Sequence, residues 1–322
     1  MRVVLRLLMA IFAIGIFLGT EAAVVLAASS PVDFAIPVET KRMSYAIALI
    51  HRDNTVKILP MDKEVKRATV SPDGARIAYV ARESDHLKVY MCTPDGKNKK
   101  AVEDYRSSEN NFQDFIDVRF IKNGKSLLIA RFLKNQLGFV EYNIASGKLK
   151  FLKKTEWQGA PSTIYRTDTY NNGCLVFTRF NNEGNKVIQQ IWGANAQDGS
   201  YTLFFEIETP PSIVDMVPDM NRKRVFATGT QTRHVSARNA NKSLMLITSS
   251  KEDPKKLVDD TIFMNLTISN DGNSIIWQSS NYVNGIKFRR HDVKAGKTTE
   301  IQLEGSADEK TESKLGTIVP SK

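Results

Sequence analysis

The chain has 322 residues, of which 42% are hydrophobic and 25% charged, and its formal net charge is +10. These proportions exclude a disordered chain, and the length suits one large all-β domain or two ordinary domains. The basic residues are spread along the whole chain and are not interleaved with aromatic residues in one patch, so they do not indicate nucleic-acid binding.

The N-terminus has the layout of a secretory signal peptide. Two arginines precede an apolar run at 7–18, and small residues follow as far as Ala28. A positive end, a short apolar core and a small-x-small site predict a signal peptide at 1–28 that is cleaved after Ala23, Ala27 or Ala28. The protein is then periplasmic or secreted. The alternative is an uncleaved inner-membrane anchor with the rest of the chain facing the periplasm, because this whole region is largely apolar.

Residues 29–42 are expected to form a lead-in with a single short strand at 34–36. Two strands follow at 45–50 and 55–59, joined by a turn. We interpret these two strands as the outer half of a structural unit whose inner half is missing.

A turn pattern then recurs through the chain. Its best copy is Ser71-Pro72-Asp73-Gly74, in which Pro presets φ and Gly suits the exit of a type I turn. Weaker copies place the equivalent of Gly74, which we call the anchor position, at 124, 173, 222 and 272. The period is therefore 49 or 50 residues, and each copy has apolar residues three and four positions after the anchor. This period, with several short strands in each unit, predicts the blades of a β-propeller.

The predicted fold is therefore all-β, with a propeller of four-stranded antiparallel blades over 43–303. Five complete repeats and the N-terminal strands make six blades, and five blades with an N-terminal clasp is the alternative. Residues 304–322 are predicted to be a flexible C-terminal tail, unless the apolar patch at 315–319 closes the ring. Cys92 and Cys174 lie in different blades and are expected to be unpaired, because a disulfide needs Cα atoms within about 7 Å.

The best repeat resembles that of the TolB-like β-propeller family. The resemblance rests on the Ser71–Gly74 turn with Ile77-Ala78-Tyr79, on Val89-Tyr90 and on a second turn at Thr93–Gly96. It covers residues 43–303 and is clearest in the first and last complete repeats. It implies a six-bladed propeller that binds protein partners in the bacterial envelope, although the α/β domain that precedes the propeller in that family has no room here.

Polar residues on the first strand of each repeat are expected to line the central channel. They are Arg67, Asp117, Arg119, Arg166, Asp168, Asp215 and Asn265. One interpretation is that these residues hold an ion or an anionic group. The other is that they solvate a narrow water-filled core and pair with one another, and we favour it because both positive and negative side chains are present.

Two histidines and an aromatic residue complete the binding candidates. His86 and His234 each lie twelve residues past an anchor, in blades predicted to face each other across the channel mouth. Two histidines without a third ligand do not make a transition-metal site, so neither a metal nor another cofactor is predicted. Trp157 is a candidate interface anchor. No Gly-x-Ser-x-Gly segment is present, and we assign no catalytic residue.

The leading hypothesis is an exported, non-enzymatic propeller that binds a protein or peptide of the cell envelope and is monomeric apart from that partner. Two alternatives stay open: an enzyme acting on a polysaccharide or another small substrate at the channel mouth, and a structural subunit of an envelope assembly.

Overall fold

The part of the chain that the computed structural model describes contains twenty-three strands and a short 3₁₀ helix, Met220–Arg222. That part is residues 30–303 without 42–43, 85, 105–115, 134–135, 153–164, 169–172, 184–185, 209–211, 231–241, 251, 261 and 281–284. The strands lie in six antiparallel sheets, of which the first has three strands and the other five have four.

The strands follow one another in simple chain order within each sheet. The first three sheets comprise β1 (Val32–Lys41), β2 (Ser44–His51) and β3 (Val56–Met61); β4 (Val65–Val70), β5 (Ile77–Glu83), β6 (His86–Cys92) and β7 (Lys100–Asp104); and β8 (Ile116–Ile121), β9 (Ser126–Leu133), β10 (Gln136–Asn143) and β11 (Leu149–Phe151). The last three comprise β12 (Tyr165–Asp168), β13 (Cys174–Glu183), β14 (Lys186–Asn195) and β15 (Tyr201–Glu208); β16 (Ser212–Asp219), β17 (Arg224–Thr230), β18 (Lys242–Ile247) and β19 (Lys255–Asp260); and β20 (Met264–Ile268), β21 (Ser274–Gln278), β22 (Lys287–Asp292) and β23 (Lys297–Gln302).

The repeated turn connects the first and second strands of a sheet. Between β4 and β5 the amide of Gly74 donates to the carbonyl of Ser71 at 2.8 Å, and the carboxylate of Asp73 accepts from the amide of Ala75 at 3.1 Å. Gly74 has a φ of +71°, which an L side chain rarely adopts. The hydrogen bond from the Ser71 hydroxyl lowers the pKa of Asp73, and this acid is therefore a turn residue.

Each sheet packs both of its faces against its neighbours. Ile77 and Tyr79 of β5 point into an apolar cluster shared with the first sheet, whereas Ala78 and Val80 point into a cluster shared with the third. Such alternation is the two-residue period of a strand buried on both sides. Four further clusters follow in the same way around the molecule.

The last of these clusters closes the ring. It joins Phe34 and Ile36 of β1 to Ile276 and Phe288 of the sixth sheet, and all four side chains are at most 1% exposed. Burying an aromatic or branched side chain of this size stabilises a fold by about 1.5–3 kcal/mol. The prediction of a six-bladed all-β propeller is confirmed, and the five-bladed alternative is wrong.

Two expectations change in detail. The segment expected to be a lead-in contains the ten-residue strand β1, which pairs with β2 from Val32 to Lys41. In the fourth sheet, Val176 faces the following blade and Phe177 the preceding one, which is the reverse of the equivalent residues in the other repeats. Cys92 and Cys174, as predicted, are buried and not joined in a disulfide.

Candidate channel site

The first strands of successive sheets lie side by side at the centre of the ring. Each carries a polar residue seven positions before its anchor. These are Arg67 on β4, Asp117 on β8, Arg166 on β12, Asp215 on β16 and Asn265 on β20. We call this set the inner ring. Its charge alternates in sign through four consecutive blades, so every charged member has an oppositely charged neighbour in an adjacent blade.

Within the inner ring, Arg166 and Asp215 of neighbouring blades form an ion pair. Asp215 also accepts a hydrogen bond from the amide of Met216 at 2.8 Å, which fixes the carboxylate on its strand. The two ion-paired side chains are 15% and 19% exposed, so they are only partly withdrawn from solvent. A charge-assisted pair that is partly withdrawn from solvent in this way is stronger than a fully exposed surface pair.

Arg67 takes part in the electrostatics of the same ring. Burial lowers the pKa of its guanidinium, and the positive charge of Arg166 lowers that pKa further, whereas the carboxylates of Asp117 and Asp215 raise it. Its Nη1 donates to the carbonyl of Lys66 at 2.9 Å. Because these four groups act on one another, substitution of one changes the electrostatic environment of the others.

A cavity of about 410 Å³ lies on the side of the repeated turns. It is lined by Arg119 of the third sheet and by the first turns of the fifth and sixth sheets, around Asp219 and Asp271. The Nε of Arg119 is buried and has no hydrogen-bond partner among the described residues.

Two arginines hold the walls of this cavity together. Arg222 donates to the carboxylate of Asp219 at 2.9 Å and to the carbonyl of Asp271 at 2.8 Å. Arg224 donates to Asp219 and to the carbonyl of Gly272, both at 2.8 Å. The fifth and sixth blades are therefore tied to each other by charged groups at the cavity. The sequence feature that marks this contact between blades is Arg222, which occupies the anchor position where the other repeats have glycine.

His86 does not lie on an inner strand. It begins β6, and its Nε2 is 4.0 Å from the carboxylate of Glu83. Hydrogen bonds from Lys63 and Lys88 hold the pKa of Glu83 down, at about 2. The sequence gives no sign of this cluster, because Lys63 comes from the connection between the first two blades and no sequence pattern joins it to Glu83.

Three of the predicted site residues lie wholly or partly outside the described residues. Asp168 is the last residue of β12, and its side chain lies outside the described part of the structure. Trp157 and His234 lie outside the described residues altogether. Among the described residues, no three His, Cys, Asp or Glu side chains are grouped closely enough to hold a metal ion. Within the described ranges, no helix has the length and apolar character needed to cross a membrane.

The ring of sheets and its polar centre define a six-bladed β-propeller. The structure is similar to the crystal structure of TolB from Acinetobacter baumannii, with a TM-score of 0.59 at 14% sequence identity, over 84% of this chain and 63% of that chain. It is also similar to a putative TolB from Agrobacterium tumefaciens, with a TM-score of 0.47 at 13% identity, over 71% of this chain and 82% of that one. A third similar structure is a nidogen/laminin complex, with a TM-score of 0.52 at 9% identity, over 85% of this chain and 94% of that one.

The likeness to the Acinetobacter TolB structure is one of fold alone, that of a TolB-like propeller. The chain spans 63% of the length of the Acinetobacter TolB chain. No protein-family model matches the sequence, and no curated protein matches it. Because unrelated functions share one fold, the fold alone does not assign a function to this chain.

Proposed function

We propose that this chain is an exported, non-enzymatic propeller that binds a protein or peptide partner of the cell envelope through its channel and the adjoining loop face. The observation that carries the proposal is the inner ring. Its guanidinium and carboxylate groups alternate on the inner strands and are partly exposed at Arg166 and Asp215.

The chemistry of the inner ring suits a polypeptide ligand. A peptide offers backbone donors and acceptors together with charged side chains, and a ring of both signs provides fixed partners for each of them. Four of the five strands that carry ring residues, β4, β8, β16 and β20, contribute side chains to the apolar clusters between blades, so the positions of their ring residues are set before a ligand arrives. Such preorganisation reduces the entropy lost on binding.

The net charge of +10 bears on the choice of partner. A basic protein attracts acidic partners at long range and raises their rate of association. We therefore expect the bound segment to be rich in Asp and Glu, and we expect its affinity to fall as the salt concentration rises.

Location in the periplasm is part of the proposal. Its support is the signal-peptide layout of residues 1–28 and the TolB-like fold. Cell fractionation with N-terminal sequencing tests it, and we expect the mature chain to begin at residue 24, 28 or 29. An intact Met1 in a membrane fraction would support the anchored alternative.

Affinity capture from an envelope extract tests the binding function. Three baits are compared: the wild-type chain, the double variant R166A/D215A, and the control K256A/D259A, which removes an ion pair on the outer strand β19 whose side chains are 60% and 57% exposed. Circular dichroism and a thermal melt confirm that every bait is folded. We expect one partner to enrich on the wild-type and control baits and to be retained at least tenfold less on the inner-ring variant.

Two results would count against the proposal. Equal capture of the partner by all three baits would remove the inner ring from the binding site. If no protein enriches above an unrelated propeller, the binding function itself is wrong.

A further inference from the structure

The cavity on the turn side of the propeller has the size and the lining of a site for a small hydrophilic molecule. Its volume of about 410 Å³ falls within the usual range of small-molecule sites. Eight of its eleven lining residues have polar side chains, and the two apolar ones are Pro218 and Ile268. Polar walls of this kind provide hydrogen-bond partners for a polar ligand and little surface for an apolar one.

The cavity is distinct from the inner ring. Arg119 lines it from β8 and follows Asp117 of the inner ring by two positions, so both residues lie on one face of that strand. Two positions along a strand place Arg119 about 7 Å nearer the turn. The other walls come from the turns of the fifth and sixth blades. The cavity therefore lies on the turn side of the inner ring, away from the loop face.

The two carboxylates in the walls already have hydrogen-bond donors. Asp219 is buried and accepts from the two arginines that tie the fifth blade to the sixth. Asp271 accepts from the hydroxyl of Ser269 at 2.5 Å, and from the backbone amide and side-chain amide of Asn273 at 3.0 and 3.1 Å. Carboxylates surrounded by donors in this way do not need a cation.

Arg119 is the charged group at the cavity with an unmet need. Its Nε is buried and has no hydrogen-bond partner among the described residues. A buried N–H without a partner is costly, and an acceptor atom of a ligand would remove that cost. The charges agree, because three described guanidinium groups, those of Arg119, Arg222 and Arg224, stand against the carboxylates of Asp219 and Asp271. One positive charge is left over.

A single excess positive charge suits a monoanion. A carboxylate matches the planar fork of a guanidinium with two parallel hydrogen bonds. A phosphate dianion would bring more negative charge than these walls neutralise, next to two carboxylates. Asn221 and Asn270 also line the cavity and are exposed, so their side-chain amides can bind neutral hydroxyl or amide groups.

We propose that this cavity binds a small carboxylate, with Arg119 as the partner of the carboxylate group and the two exposed asparagines as partners of adjacent hydroxyl or amide groups. A free hydroxy acid and the C-terminus of a peptide both present this chemistry. The site adds to the binding of a partner at the inner ring and does not depend on it.

Titration calorimetry of the full chain at pH 8 tests the site with four probes. Gluconate is a carboxylate with hydroxyl groups, and N-acetylglycine is a carboxylate with an amide, like a peptide C-terminus. N-acetylglycinamide lacks the charge, and inorganic phosphate is mainly a dianion. We expect at least one of the two carboxylates to bind with a Kd below about 1 mM, and the other two probes to bind at least tenfold more weakly. The better carboxylate identifies the source, a hydroxy acid or a peptide end.

Three variants locate the bound carboxylate. R119M should weaken its binding at least tenfold and should leave Tm unchanged or raised, because it removes a buried donor that has no described partner. The control R76M removes a basic side chain on the turn side of the second sheet, which pairs with Asp73 at 3.5 Å and does not line the cavity. R76M and the inner-ring variant R166A/D215A should both bind the carboxylate as the wild type does.

Four outcomes would overturn the site. The first is the absence of binding by either carboxylate below about 1 mM. The second is equal binding of N-acetylglycine and N-acetylglycinamide, a comparison on the wild type that stands even if R119M does not fold. The third is unchanged binding in R119M, or an equal loss in R76M. The fourth is a loss in R166A/D215A, which would move the carboxylate to the inner ring.

Discussion

Arg290 gives the sharpest test of how the last blade meets the first. It lies on β22, and its guanidinium donates to the carbonyl of Arg52 at 3.3 Å, to the side chain of Asn54 at 3.2 Å and to the carboxylate of Asp33 at 3.3 Å. The guanidinium also lies 5.5 Å from the centre of the Phe34 ring. One side chain of the sixth blade thus holds four residues of the first.

The substitution Arg290→Met removes these contacts, together with two hydrogen bonds to the hydroxyl of Ser274 in its own sheet at 3.2 and 3.1 Å, and keeps most of the apolar stem. Three long hydrogen bonds and one cation–π contact contribute about 2 kcal/mol together, since each is worth about 0.5–1 kcal/mol net. The loss stays moderate because Asp33 keeps the guanidinium of Arg52, whose Nη2 is 3.2 Å away, and is not left as a lone buried charge. For a chain of this size, 2 kcal/mol corresponds to a fall in Tm of about 5 °C.

Urea unfolding of wild type, R290M and K287M measures the effect. Lys287 lies on the same strand, but it pairs with Glu300 of its own sheet at 3.2 Å, and both side chains are more than a third exposed. We expect K287M to change the free energy of unfolding by less than about 0.5 kcal/mol. If R290M costs no more than K287M, then Arg290 does not contribute to ring closure and the reasoning is wrong.

Three further predictions concern single residues. Hydrogen bonds from two lysines hold the pKa of Glu83 at about 2. This carboxylate therefore stabilises the fold above the unfolded glutamate pKa of about 4.3, and the stabilisation is lost as pH falls toward 2. Between these two pH values the urea midpoint of E83Q should fall less than that of the wild type, and parallel curves would contradict this. Gly272 and Gly296 have similar φ values of +68° and +64°, but a Cβ atom would collide with Arg222 at Gly272 and would meet nothing within 4 Å at Gly296. G272A should therefore lower the free energy of unfolding by at least about 1 kcal/mol more than the control G296A, as measured by thermal unfolding. Equal decreases would show that the turn relaxes around the new Cβ. Burial raises the pKa of the Cys92 thiol to about 11. A thiol-reactive dye at pH 8 should therefore label Cys92 at least tenfold more slowly in the folded than in the unfolded protein. Equal labelling rates would mean that the thiol is accessible in the folded protein.

The repeat was predictable because tight turns use few residue types. In the second and sixth sheets the serine, acid and glycine of the turn make the same hydrogen bonds, and Gly272 donates to the carbonyl of Ser269 as Gly74 does to that of Ser71. Apolar residues at fixed positions after such a turn are then enough to mark the second strand of a blade.

The fourth sheet shows where the same signal misleads. Gly173 has a φ of 115°, outside the range of the other anchor glycines, and Asp168 pairs with Cys174 across a shorter connection than the one between Val70 and Ile77. The hairpin is therefore shifted in register although the interval between anchors is almost constant. The spacing of anchors in the sequence gives the length of a repeat, whereas the face of the sheet on which a residue lies depends on the pairing register of its strand.

For the candidate site, the sequence could place charged residues on inner strands but could not say which of them pair. The Arg166–Asp215 ion pair depends on the distance between two neighbouring blades. Likewise, Arg290 and Asp33 are 257 positions apart and meet only because the ring closes between them. The role of the inner ring as a binding site stays a prediction, since its pairing fits both a ligand site and a solvated core.

A charge exchange separates these two roles of the inner ring. R166D leaves Asp117, Asp215 and the new carboxylate near one another, so we expect it to destabilise the fold by about 2 kcal/mol or more. The exchange R166D/D215R restores a pair of opposite sign between the two blades, and it should recover most of that loss except for the hydrogen bond from the amide of Met216.

Binding should respond differently from stability. The exchange reverses the order of charges along the ring, so a partner that reads that order should bind the stable double variant at least tenfold more weakly than the wild type. Thermal melts report the structural role, and titration of the captured partner reports the functional one. If the double variant recovers stability and also binds as the wild type does, the inner ring only solvates the centre of the propeller, and the partner site must lie on the loop face alone.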